Sequence, residues 1–184
     1  MNYKDCRDAV CGLIGVVESA KWKTKMLQPF NAALSQISQV KYILKQFTLT
    51  AVLGDLKIDG HSNWQQLSLP TDFYLFQRLL LDGSPYPKYY LTNDNKIAVP
   101  YDFAGNLTLE YAAFPKKMLV DTPDEYVFDI PLDVHIAIAP YVASKLALTS
   151  NPDIYGDLNQ EFIDIMTNLK IPKKTAKFVR NSFM

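Results

Sequence analysis

The first 47 residues place apolar side chains at a helical period. Cys6, Ala9, Val10, Leu13, Ile14 and Val17 fall at three- and four-residue steps, which predicts a helix over about 4–18. Gly12 and Gly15 weaken it by about 1 kcal/mol each relative to alanine. The basic stretch SAKWKTK (19–25) reads as a link, and Pro29 suits the first turn of a second helix, where its missing N–H does no harm. Phe30, Ala33, Ile37, Val40, Leu44 and Phe47 then step by three and four, a seam for packing on the first helix or on a neighbouring subunit.

From Thr48 the period shortens. TLTAVL is strand-like, DLKIDGHSN is a turn region, and WQQLSL reads as a strand closed by Pro70. PTDFYLFQRLLLDG predicts a helix: Thr71 or Asp72 would cap it, Phe73, Phe76, Leu79 and Leu80 would form its stripe, and Gly83 would end it. KYYLT and KIAVP flank Asn93-Asp94-Asn95, a hairpin signal. Gly105-Asn106 turns the chain into a third strand over 107–113, and three strands on short turns predict an antiparallel meander. Phe114-Pro115 stops that strand abruptly and two lysines follow. A polar loop over 116–129 carries Asp121, Asp124, Glu125 and Asp129. A long helix is expected over about 131–149, burying Val134, Ile138, Tyr141, Val142, Leu146 and Leu148, with a kink at Pro140. Asn151-Pro152 breaks the chain before a last helix over about 157–169, which buries Leu158, Phe162, Ile165, Met166 and Leu169. The order helix–helix, sheet, helix–helix makes the fold class α+β: a helical bundle of two N-terminal and two C-terminal helices with an inserted antiparallel β-rich subdomain.

Composition narrows the function. A chain of 184 residues with 48% hydrophobic and 21% charged residues can bury a real core. A formal net charge of +0 provides no overall attraction to nucleic acid or to an anionic membrane. The 11 Tyr and 10 Phe suit sheet cores and subunit contacts alike. Cys6 and Cys11, on different faces of one helix, read as reduced core thiols, in keeping with assembly in a cytoplasm. AVCGLIGVV is too short to span a membrane, and the acids before it do not suit a signal peptide.

Candidate chemistry is sparse. The two histidines, His61 and His135, are the groups a small enzyme would have to use, together with the acidic loop. No Gly-x-Ser-x-Gly elbow, phosphate loop or zinc pattern accompanies them. His135 reads more simply as a surface or capping residue. Asp55, Asp59 and Gly60 match part of a calcium loop, but Lys57 would sit among the ligands and Gln66 where a bidentate Glu is needed, so that match fails. Neither a catalytic set, a cofactor nor a metal is expected. The tail KIPKKTAKFVRNSFM sets Lys173, Lys174, Lys177 and Arg180 among Phe178 and Phe183. These residues suit docking on a partner better than DNA binding, because aromatic anchors carry interfaces.

An ordered set of segments carries a resemblance. LSLPTDF (67–73), LTLEYAAFPKKM (107–118), FDIPLDVHIAIAPYVASKLAL (128–148) and DLNQEFIDIMTNL (157–169) stand in the order and spacing of the head-to-tail adaptor (connector) proteins of tailed bacteriophages, especially short-tailed ones, and FNAALSQI (30–37) is similar to that family's opening helices. The resemblance implies a structural virion protein without enzymatic residues. It would form a homo-oligomeric ring, usually a twelve-fold 12-mer, between the portal protein and the tail or nozzle proteins. The genome would pass through it without sequence-specific DNA binding. It further implies one adaptor-like domain over 1–169, with helices over 4–47 and 131–169 and a β-rich insertion over 48–115. Residues 170–184 would then be a C-terminal arm that docks on the portal. Assembly would take place in the host cytoplasm, and the mature location would be the head–tail junction of the virion. A tail-completion or stopper protein is the alternative within the same class. In a ring, Lys116 and Lys117 would meet the acidic 121–129 loop of a neighbour.

Overall fold

The structure, a computed structural model, describes residues 1–53, 57–58, 61–92 and 94–169. Helices and two antiparallel sheets make it an α+β fold. The chain divides into two compact units, one of Met1–Ile43 with the chain from Pro115 onward, the other of Leu44–Phe114.

The first unit is helical. α1 (Tyr3–Ile14) opens on a capping box: the Asn2 side chain accepts from the Asp5 N–H at 2.8 Å and the Asp5 carboxylate accepts from the Asn2 N–H at 3.1 Å. It ends at Gly15, whose φ of 68° is the left-handed geometry that glycine adopts without strain. The helix is therefore shorter than the 4–18 its periodicity suggests. Cys6 and Val10 are buried, but Leu13 and Val17 are 40% and 88% exposed. α2 (Ala20–Val40) takes in the basic link, so Pro29 lies inside the helix and not in its first turn. No Gly or Pro interrupts residues 19–25, and nothing there stops a helix. Phe30, Ala33 and Ile37 are fully buried as the seam requires. Leu44 and Phe47 are not on it, because the helix ends at Val40.

Pro131 begins a 3-10 helix (Leu132–Ala137), and α3 (Ile138–Ser150) follows. Pro140 thus falls in the first turn of α3, where its lost N–H has no intrahelical acceptor, and the expected mid-helix kink has no place to form. α3 is the centre of the unit and packs against α1, α2 and α4 (Pro152–Asn168). Ile138, Val142, Ala143, Ser144 and Ala147 are each at most 0% exposed, so its apolar surface runs round the helix and is not one stripe. Leu148, placed in that stripe by the sequence, is 51% exposed. α4 starts at Pro152, a turn earlier than its periodicity indicates, and buries Leu158 and Phe162. Cys6 and Cys11 are buried free thiols, and burial pushes the Cys6 thiol up to about 12.

The second unit holds two four-stranded sheets. β1 (Ile43–Ala51), β8 (Gly105–Ala113), β4 (Phe73–Leu81) and β5 (Ser84–Pro85) form one in that order. β2 (Lys57–Ile58), β3 (His61–Ser68), β7 (Lys96–Pro100) and β6 (Tyr90–Leu91) form the other. β6 and β7 pair as the Asn-Asp-Asn hairpin predicts. β8 then leaves for the other sheet, so the three strands are not a meander. The expected helix over 71–83 is strand β4. Its pairing with β8 steps past Tyr74 and Gln77, two bulges that space the apolar residues by three and imitate a helical stripe. Asp82 and Gly83, both at positive φ (49° and 78°), make the two-residue turn into β5.

Asp72, expected as a helix cap, instead locks the end of this sheet. Its carboxylate accepts from the buried Tyr111 hydroxyl at 2.9 Å and from Lys45 Nζ at 2.7 Å, and its carbonyl accepts from the Phe114 N–H at 2.8 Å. Partial burial disfavours the charged carboxylate, but the bonds from Lys45 and Tyr111 outweigh it and hold Asp72 below its ordinary value. Burial, then Asp72, pushes Tyr111 up to about 12. The depressed Asp72 contributes stability above its unfolded value of about 3.9, which is lost as pH falls through the folded value. The raised Tyr111 contributes stability that is complete below about 10 and is lost as pH rises toward about 12. Asp72→Asn is expected to bring one phenol titration down toward about 10. Absorbance of the phenolate at alkaline pH reads this directly, and an unchanged titration would mean that Asp72 does not hold the Tyr111 proton.

Candidate interaction surfaces

The 116–129 segment is laid on the start of α1. The Tyr3 N–H donates to the Tyr126 carbonyl at 2.8 Å, the Lys4 N–H to the Asp124 carbonyl at 3.0 Å, and Asn2 bridges Val127. Beneath it lies Arg7, 2% exposed. Its Nε donates to Glu18, its Nη2 donates to Asp124 Oδ1 at 2.9 Å, and its guanidinium carbon lies 4.3 Å from the centre of the Tyr3 ring. Lys23 reaches the same Asp124 oxygen at 3.2 Å. Burial works against the Arg7 charge, but the bonds to Glu18 and Asp124 outweigh it and push the guanidinium above its usual range. Arg7 and Lys23 in turn hold Asp124 below the usual carboxylate range.

This geometry bears on the acid–base reading of the loop. Asp124 is an ionised strut. Asp129 accepts from the Lys116 N–H at 3.1 Å. The Tyr126 phenol, pushed up to about 12 by burial and then by Asp129, stays protonated at neutral pH. Asp121 and Glu125 are exposed. Lys116 Nζ lies 5.7 Å from the centre of its own Tyr126 ring, so this lysine is already engaged within its own chain. A shallow cleft of about 210 Å³ runs beside Lys116, Lys117, Asp121 and Tyr126, and another of about 310 Å³ in the sheet unit runs beside Tyr86, Lys88, Asp102 and Phe103. Neither contains a histidine or cysteine.

His135 is not on the surface. It is 2% exposed, its Nε2 lies 3.0 Å from the Ile130 carbonyl, and its ring meets Phe128 edge-on at 5.6 Å. The Pro-Leu-Asp-Val-His run explains itself locally. Pro131 starts the 3-10 turn, Asp133 stays outside and pairs with Lys41, and His135 folds back on the carbonyl just before the proline. His61 lies on β3 in the other unit. Among the described residues no group of three or more His, Cys, Asp or Glu is placed to hold a metal ion. Asp55, Asp59 and Gly60 lie outside the described residues. So do the proposed docking residues Lys173, Lys174, Lys177, Phe178, Arg180 and Phe183.

What the surface does offer is apolar area. In the helical unit Leu132 and Ile136 are 72% and 58% exposed, and in the sheet unit Leu44, on edge strand β1, is 70% exposed. Of these, sequence periodicity placed Leu44 on the buried seam of the second helix, and its exposure follows from that helix ending at Val40. No helix among the described residues is long and apolar enough to cross a membrane. No family model matches the chain, and no curated protein matches it in sequence.

Proposed function

We propose that this chain is a structural virion protein of a tailed bacteriophage, a subunit of the ring that joins the portal to the tail and lets the genome through. The observation that supports this reading most is where the motif residues of the resemblance lie. Tyr111, Phe128 and His135 are 3%, 3% and 2% exposed and hold turns and packing together. Buried residues that serve the fold, beside surface apolar residues such as Leu132 and Ile136, suit a protein that works by its faces. The chain returns to the helical unit at Pro115, so the end of β8 is where the chain passes from one unit to the other.

In this reading the partners are copies of the same chain, the portal protein, and the tail or nozzle proteins, with residues 170–184 as the arm that docks on the portal. Electron microscopy of the full chain mixed with its portal is expected to reveal an added ring on the portal. Truncation after Leu169 is expected to abolish binding while the shortened chain still folds, which cooperative thermal unfolding reports. A ring placed elsewhere in the particle would favour a stopper or tail-completion role. Equal binding by the truncated chain would dismiss the arm.

A further inference from the structure

α4 carries Asp153, Asp157, Glu161 and Asp164 and no basic residue. At 100° per residue the four fall within about 80° of arc on the side away from the buried Leu158 and Phe162. All four are exposed. Among the described residues none of them is in an ion pair, and Asp164 only accepts from the Gln160 amide at 2.8 Å. Like charges one turn apart repel, so this face is uncompensated within its own helix. Ile163, 43% exposed, borders it.

The start of α2 has the opposite character. Lys21, Lys23 and Lys25 stand in its first two turns, α2 contains no acid, and the Ser19 side chain makes no capping hydrogen bond. Lysines at this end oppose the helix dipole. Lys23 is neutralised by Asp124. Lys21 and Lys25, four residues apart and both exposed, have no carboxylate partner among the described residues. Between them sits the half-buried Trp22, with Lys25 Nζ 4.8 Å from its ring centre. α2 and α4 each pack on α3 in the same unit.

Two helix surfaces of opposite sign, each repelling itself and neither compensated among the described residues, are what a head-to-tail contact between copies needs. We propose that the outer face of α4 seats the Lys21–Trp22–Lys25 turn of a second copy, carboxylates meeting ammonium groups and uncapped amides, with Trp22 set against Ile163. This rests on the ring reading and names its subunit contact.

Charge reversal tests it by sedimentation of the full chain at low salt. The parent chain is expected to associate with rising concentration. Asp157→Lys with Glu161→Lys, or Lys21→Glu with Lys25→Glu, should each weaken association at least about tenfold, as should raised salt. An equal mixture of the two variants should associate, since the unaltered acidic α4 face of the one then meets the unaltered Lys21–Trp22–Lys25 turn of the other. A chain with all four reversals should recover. Circular dichroism reports whether each variant folds. A parent chain that stays monomeric at about 1 mM, variants that associate like the parent, or a mixture that does not associate would each overturn the contact. Association that stops at a dimer would support the contact and count against the ring. Absence of portal binding with the contact intact would sink the connector reading alone.

Discussion

Replacing Phe128 by alanine is expected to destabilise the helical unit by about 3–5 kcal/mol. The residue is 3% exposed and lies among four rings, with centroids at 5.6 Å (His135), 6.0 Å (Tyr126), 6.1 Å (Phe30) and 6.4 Å (Tyr3). Those rings come from α1, α2, the 116–129 segment and the 3-10 helix, so they cannot close together over the void without moving several elements. Three of the four meet Phe128 nearly edge-on, a geometry worth about 0.5–1.5 kcal/mol per pair beyond area. Phe128→Leu keeps most of the volume and should cost well under half as much. Urea unfolding followed by circular dichroism measures both. A loss below about 1 kcal/mol for the alanine variant would show that the cluster is not a centre of stability.

Arg7→Ala is expected to cost about 3 kcal/mol, the lower edge of the range for breaking a buried ion pair. The lower edge applies because Glu18 and Asp124 keep 26% and 40% of their side-chain surface and can return to water. The remainder of the loss comes from Tyr3, whose ring stacks on the guanidinium, and from the 124–126 segment that Arg7 pins to α1. Arg7→Lys should recover little, since an ammonium cannot hold two carboxylates through a planar fork. The Asp124 value is depressed by Arg7 and Lys23. Its contribution is therefore present above the unfolded carboxylate value of about 3.9 and lost as pH falls through the folded one. Without Arg7 this acid sensitivity should shrink. Unfolding midpoints at neutral and acid pH decide it, and an equal pH dependence in parent and variant would mean that Arg7 does not set the Asp124 charge.

Particular elements show how far local pattern reached. The hairpin of β6 and β7 and the core seam of α2 lie within a few residues of their own signals, and the chain forms both. The helix expected over 71–83 failed because its spacing was made by two bulges, and a bulge is defined by the partner strand, here some 30–40 residues away. Arg7 was passed over because a lone arginine in a helix carries no local mark of burial. Its partner Asp124 is 117 residues distant. The acidic face of α4 and the lysines of α2 were there to be read as segregated charge. Only the folded unit shows that neither is neutralised by a neighbour among the described residues.

The amino-acid order by itself determined the α+β class and the course of the chain from helices into a sheet region and back, because these depend on period and punctuation within short windows. The tertiary structure alone decided that residues 73–81 form a strand, that β8 joins β4 and not β7, that His135 and Arg7 are buried, and which charged faces lack a partner among the described residues. Each of these depends on residues far apart in the chain, and a local period records only that a side chain is buried, not what it is buried against.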